Sequence, residues 1–441
     1  MVKINKIISL LKKRKLDGWK ISLAEIKRTN LYYTKYLEKE SELNAFRTNV
    51  DITIYKHLGK EIGESSFSIL DENEIDKKIN DALVLCDYST KPKFSLPVKN
   101  KLSRVSLVDK KLINPIKHLE DIHKTIKYEL TKNENKNIKP NNLELHSSYL
   151  KSRIVNSNGV DFKEEKTALY VELTLTASGV LNSGKEQEHV AMKEVSSLSK
   201  FNANKFVQEN VSLVKDVLNS SLIKTFKGNV MLSGEASSEF FAPHLGLNPL
   251  VMHASAKIKH MNLSKYNLNK KIAKFNGDKL TILSNPLLKL NPSSSLFDGD
   301  GVVSKKIKLI DNGVFNNYFS NKQYADYLKI KATGALGSIE VSKGKKLAKA
   351  FYVSGLEIVS FSSFSPNSIS GDFSAEIRLG YVVKKDKSGK ITKKPFKGGM
   401  FTGNIFDLIE EMYLSKEIKE TNGYKGPKLV MFKNAIVSGM E

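Results

Sequence analysis

Between residues 296 and 404, four glycine-bearing landmarks recur among strand-like segments. They are Phe-Asp-Gly-Asp-Gly-Val (297–302), Ala-Thr-Gly-Ala (332–335), Ser-Gly-Asp-Phe-Ser (370–374) and Thr-Gly-Asn (402–404). Glycine reaches positive φ at little steric cost, so a chain that returns to it between short apolar runs is punctuated by tight turns. A β-rich second half follows. Residues 307–310 and 314–319 flank Asp311-Asn312-Gly313, and Asn-Gly supplies the positive φ values a two-residue hairpin requires. A second hairpin is expected from 376–384 and 390–396 around Asp386-Lys387-Ser388-Gly389. Asn404 is placed to cap a helix containing Ile405, Leu408, Ile409 and Met412, and 429–437 reads as a closing strand.

The first half alternates helix and strand signals. Ile4, Ile7, Ile8 and Leu11 share a helical face, and a strand pair is expected over 19–38 and 42–57, closed by Gly59 and Gly63. Asp71, with Glu74 three residues on, reads as the cap of a helix whose inner face is Ile75, Ile79, Ala82, Leu83 and Cys86. Asn114-Pro115 opens a helix with Leu119, Ile122, Ile126 and Leu130 turned inward. The polar run 132–142 reads as a loop, 154–160 as a strand and turn, and 168–175 as an alternating strand. A long helix over 203–220 puts Val207, Val211, Val214 and Leu218 on one face. At 441 residues the chain exceeds the size one hydrophobic core serves. The expected architecture is α+β: a mixed α/β N-terminal domain (1–226) followed by a β-rich C-terminal domain (227–441), with the boundary near Phe226-Lys227-Gly228.

The formal charge of +24 suggests a nucleic-acid partner, but only six of the 71 basic residues are arginines, at 14, 28, 47, 104, 153 and 378. Specific phosphate or base readout recruits the planar guanidinium fork, whereas these lysines are spread along the whole chain, as on a solvated surface. The single cysteine, Cys86, can form neither an intramolecular disulfide nor a thiolate-rich metal site. No stretch approaches the ~20 apolar residues of a membrane helix. Ile7-Ile8-Ser9-Leu10-Leu11 runs straight into Lys12-Lys13-Arg14-Lys15, which is unlike a signal peptide. A cytoplasmic protein without a membrane partner is expected.

The four landmarks, in this order, resemble the TldD/PmbA family of metallopeptidase-related proteins. The resemblance covers nearly the whole chain, strongest over 285–404 and loosest before residue 60. It implies catalytic subunits, TldD, that carry a His-Glu-x-x-x-His zinc motif, and TldE/PmbA partners that do not. Where the motif would stand, after the strand-like 229–232, the chain reads Ser233-Gly234-Glu235-Ala236-Ser237-Ser238-Glu239-Phe240. Gly234 and Glu239 occupy the two histidine positions, while Glu235 keeps the place of the general base. Such a motif works by putting two imidazoles on one helix face around a zinc ion whose water the glutamate polarises. The resemblance also implies a cysteine ligand far down the C-terminal domain, and no cysteine follows residue 86. No metal, no cofactor and no catalytic residue is therefore expected, and Glu235 reads as a helix-start carboxylate.

Other constellations fall short. The eight histidines (57, 118, 123, 146, 189, 244, 253, 260) contain no i, i+4 pair, and His253 and His260 are expected on a polar strand or surface segment. Asp298-Gly299-Asp300-Gly301 opens like a calcium loop but has Val302 and Leu309 where ligands are needed, so a structural turn is expected. Residues 398–404 have the glycine spacing of a phosphate loop, with Asn404 in place of its lysine. Cys86 reads as an inert core thiol.

Binding remains. Gly371, Asp372, Phe373 and Ser374, with Thr402, Gly403 and Asn404, are the candidate rim for a partner or peptide, since small-residue turns beside a sheet edge admit another backbone. The resemblance implies a non-catalytic pseudo-enzyme subunit that pairs with a zinc-bearing TldD-like metallopeptidase and helps form the chamber for proteolysis of unfolded peptides held in extended form. The alternatives are a stand-alone homodimeric peptide-binding scaffold and a basic nucleic-acid-associated protein.

Overall fold

The computed structural model describes residues 4–69, 72–132, 137–179, 186–243 and 248–439. The architecture is α+β with a β-rich second half. The first half is built on an antiparallel seven-stranded sheet in the order β4-β3-β2-β1-β5-β6-β7. Its strands are β1 (Gly18–Tyr33), β2 (Lys39–Leu58), β3 (Glu61–Ser68), β4 (Thr90–Pro92), β5 (Ile138–Asn156), β6 (Asp161–Ser178) and β7 (Glu186–Val195). The expected β1–β2 pair is present. Gly59 makes the next turn with φ +65°, but Gly63 lies inside β3, where a Cβ would meet the Cys86 carbonyl oxygen at 2.1 Å. Gly63 thus admits a helix rather than closing a hairpin.

Four helices cover this sheet, and their apolar periodicity places them. In α1 (Ile4–Lys13), Ile7 and Leu11 are buried. In α2 (Ile75–Cys86), Ile75, Ile79, Ala82 and Cys86 face inward; Asp71, the expected cap, lies outside the described residues. These two helices share one core with Ile21, Ile52 and Ile54 of the sheet. All four predicted inward residues of α3 (Ile116–Thr131) are buried. In α4 (Ala203–Leu218), Val207, Val211 and Val214 are buried, and the Asn202 side chain accepts from Lys205 N–H as the cap. Helices α3 and α4 close a second core over Leu143, Leu145, Val171 and Leu173. The polar run expected as a loop is already strand from Ile138, and β7 was not foreseen. Both are polar strands whose backbone bonds come from β6, so pairing overrides their weak propensity.

The second half holds a six-stranded mixed sheet and an eight-stranded one. In the latter the strands Gly355–Pro366, Phe226–Leu232, Val430–Ser438, Met400–Asn404 and Asp372–Lys385 pair in turn, and the last pairs back to the first, so the path closes on itself. Closure removes edges and leaves an interior of alternating inward side chains. Phe364, Phe373, Phe401 and Phe432 are among those that fill it. Both predicted hairpins form, the first with Asn312 and Gly313 at φ 51° and 81°. Asn404 caps as expected, accepting from Phe406 N–H at 3.0 Å, but the helix covers only Ile405–Leu408 and Met412 already lies in a strand.

The landmark Phe-Asp-Gly-Asp-Gly-Val joins the two halves. Phe297 and Val303 pack with Ile154, Val160 and Phe162 of the β5–β6 hairpin. Lys20 pairs with Asp300 at 2.7 Å, and Glu164 accepts from Leu296 N–H and Ser295 Oγ. Asp298 Oδ1 accepts from the N–H groups of Asp300 and Val302, which makes this a self-bonded turn. Burial pushes the Asp298 carboxyl up to about 6, with repulsion from Asp300 adding to it.

Candidate functional site

The strand Phe226–Leu232 delivers the chain to residues 233–240, where the sequence reading expects an altered zinc motif. Ser233 N–H donates to the Ile358 carbonyl at 2.9 Å, and the chain then turns through Gly234 at φ +48° into α5 (Ala236–Phe241). Two aromatic side chains anchor this short helix: Phe240 packs on Phe364, Phe373 and Phe432, and Phe241 stacks on Tyr424. The turn is glycine-specific. A Cβ at 234 would lie 2.4 Å from Val359 Cγ1 and 2.7 Å from the Val359 carbonyl oxygen. Behind it, Glu357 is buried and accepts from Ser233 Oγ (2.7 Å), Tyr352 Oη (3.0 Å) and Lys393 Nζ (2.5 Å).

Zinc does not fit this place. Gly234 offers no donor, and an imidazole there would need both a strained left-handed backbone and the space of Val359. Glu235 sits exposed at the start of α5 without a side-chain cap bond, and Glu239 lies one turn on, half-buried. Among the described residues no three His, Cys, Asp or Glu side chains are grouped to share an ion; His244 lies outside them. Cys86 is buried in α2, its thiol 3.5 Å from the Ile54 carbonyl, and burial pushes it above the usual thiol range.

Two residues that spacing could not single out complete the site. Lys419, on the strand Ile418–Thr421, donates its ammonium to the Gly234 carbonyl and to Ser238 Oγ (3.0 Å). Burial pushes its pKa down to about 8; Glu235 holds it up, while Lys193 and Lys428 push it further down. His189, on β7, is 3 % exposed, with Nε2 2.9 Å from Asn210 Oδ1. Asn210 Nδ2 donates to the Phe206 carbonyl, so Oδ1 is the acceptor and His189 carries its proton on Nε2. Its Nδ1 has no hydrogen-bond partner. Burial lowers its pKa, with Arg378 and Glu235 in electrostatic reach. No local pattern announces Lys419, which reaches the Gly234 turn from a distant part of the chain.

The candidate rim forms one strand pair. Asp372, Phe373 and Ser374 stand opposite Asn404, Gly403 and Thr402. Most of it is engaged internally. Phe373 is 5 % exposed and packs on Phe240 and Phe401, so its side chain belongs to the core. Gly371, at φ +92°, has Phe406 Cδ2 2.6 Å from where a Cβ would stand. Asn404 Nδ2 donates to the Ser370 carbonyl (3.1 Å) and Asp372 Oδ1 (2.9 Å), and with Ser370 Oγ this holds the Asp372 carboxyl below the usual range. Ser374 and Thr402 keep outward side chains.

His253 corrects the expectation of a polar surface strand: it is fully buried. Its Nδ1 accepts from Lys265 N–H (3.0 Å), and its Nε2 faces the Ile369 carbonyl at 2.9 Å. Lys257 and Lys259 belong to a short helix, Ala256–His260, which Ser255 precedes and whose inner side chains are Ala256 and Ile258. His260 ends it, packed on the rings of Tyr324 and Tyr327.

Residues 225–439 match the family profile described as the PmbA/TldA metallopeptidase C-terminal domain. The uncharacterized protein MJ0231 of Methanocaldococcus jannaschii is 25% identical over 303 residues, 65% of this chain and 67% of that protein. Among solved structures, a Thermotoga maritima protein described as a modulator of DNA gyrase superposes with a TM-score of 0.81 at 18% identity, covering 98% of each chain. TldE from Thermococcus kodakarensis superposes with a TM-score of 0.79 at 17% identity, covering 99% of this chain and 100% of its own. No described helix is long and apolar enough to cross a membrane. Residues 225–439 thus carry the C-terminal domain of the TldD/PmbA family, within a fold shared along the length of both solved structures.

Proposed function

We propose that the protein is a TldE/PmbA-like subunit without a metal centre of its own, which pairs with a zinc-bearing TldD-like metallopeptidase and helps enclose the chamber where unfolded peptides are cleaved. The turn at Gly234 carries this reading. A zinc peptidase needs an imidazole at that position, whereas here the backbone is left-handed, Val359 fills the space a side chain would take, and a lysine ammonium stands over the turn. A resident ammonium repels a metal cation. On this reading Glu235 is a helix-start carboxylate, Ser374 and Thr402 are the rim side chains left to face a partner or peptide, and the chain divides into domains 1–226 and 227–441 in the cytoplasm.

Sedimentation velocity with a His-Glu-x-x-x-His-bearing homologue tests the pairing. A shared chamber needs an obligate contact, commonly ~2,000 Å² or more, so a heteromer is expected at micromolar concentration. A chain that remains monomeric beside such a partner contradicts the reading. A chain that pairs only with itself supports the homodimeric scaffold instead. In the assembled complex, Glu235→Gln leaves turnover within about twofold, whereas loss of a general base costs roughly 10²–10⁴-fold.

A further inference from the structure

A cavity of about 380 Å³ opens where the first sheet meets the helix Lys322–Leu328 of the second half. Its floor is apolar: Tyr55 of β2, Ile62 of β3, and Phe94 and Leu96 of the segment after β4 are each buried. Asp326 ties that segment to the helix, accepting from Ser95 N–H (2.8 Å) and Ser95 Oγ (2.7 Å) on one oxygen and from Lys322 Nζ on the other. Two further charges line the mouth, Asp17 and Lys93, and neither makes an ion pair among the described residues. Asp17 accepts only from His57 N–H, at 2.7 Å. Tyr55 is 3 % exposed, and its hydroxyl bonds to no described residue. That oxygen is nevertheless not sealed from solvent, so it opens into the cavity. A buried phenol ordinarily has a partner, and here the partner must come from what enters.

We propose that this cavity binds a free α-amino acid with a large apolar side chain. Small-molecule sites of this size combine an apolar lining with a few polar groups that fix orientation. The floor takes the side chain, the Asp17 carboxylate takes the ammonium, and the Lys93 ammonium takes the carboxylate. An amine or an acid would answer one of the two unpaired charges and leave the other bare, whereas a zwitterion answers both. The interior of a peptide carries neither charge, so the site suits what complete hydrolysis of a peptide releases. Because the lining comes from both halves of the chain, a bound amino acid braces their junction.

Calorimetric titration of the full chain with L-phenylalanine tests this, beside phenethylamine, 3-phenylpropionate and glycine, which lack the carboxylate, the ammonium and the side chain in turn. L-Phenylalanine is expected to bind with a dissociation constant below about 1 mM, and each of the three probes at least about tenfold more weakly. Asp17→Asn, which can still accept from His57 N–H, should erase the preference over 3-phenylpropionate. Lys93→Met should erase the preference over phenethylamine, with circular dichroism confirming that both variants fold. No binding of L-phenylalanine, a probe that matches it, or either preference left intact in its folded variant overturns the proposal. The probe series on the wild type decides even where a variant fails to fold. Because no peptide, partner or zinc is present, the outcome is independent of whether the heteromer forms.

Discussion

The turns at Gly234 and Gly371 look alike in sequence and differ in what holds them. Both carry a positive φ, and both have a buried histidine nearby. Gly371 is tied by its own segment and by the strand paired with it. Its N–H donates to the Asn367 carbonyl, its carbonyl accepts from Ile405 N–H, and Asn404 bridges Ser370 and Asp372. His253, behind it, has both ring nitrogens engaged. The Gly234 turn depends on Val359 and on Lys419, the latter 185 residues away, and nearby His189 keeps a bare Nδ1. A turn whose polar groups are all paired is a structural device. One held by distant, partly unsatisfied groups is where a ligand or partner changes most.

The largest expected effect is at the self-satisfied turn. Gly371→Val combines a β-branched residue at φ +92° with a clash against Phe406, and should lower the unfolding free energy by about 3–5 kcal/mol. Urea titration checks this. A drop below ~1 kcal/mol would mean the turn relaxes freely and returns it to the rim. Gly234→His follows, costing about 2–3 kcal/mol through backbone strain and displacement of Val359, in the same assay.

A pH series probes the two histidines together. Burial holds His189 and His253 below the ordinary imidazole value, so the native state binds fewer protons than the unfolded chain once the pH falls below ~6.5. Their contribution is intact above that pH and is lost as the pH falls toward the folded-state values. The unfolding free energy should drop by about 1–2 kcal/mol between pH 7 and 5.5, read from urea midpoints. His253→Leu should flatten that slope. The smallest effect is expected from Lys387→Ala, in the exposed turn 386–389, at within ~0.5 kcal/mol.

Local rules made much of the fold legible. Asn312-Gly313, the Asn404 cap and the inward faces of α2, α3 and α4 follow from turn chemistry and 3.6-residue periodicity. What local rules cannot express was not legible. The polar strand β7 exists because β6 pairs with it. Gly63 is fixed by a helix that packs on it, and His253 is buried although Lys257 and Lys259 follow it in sequence. At the candidate site, the residues that depart from the motif could be read directly. Lys419 could not, since only the tertiary fold brings it to Gly234.

The most direct test of the account is zinc content. Elemental analysis after mild purification should find well under one zinc per chain, both in the wild type and in Gly234→His/Glu239→His, because the left-handed turn and Val359 still deny the first ligand its place. One tightly held zinc per wild-type chain would contradict the reading of this subunit as one without its own metal centre.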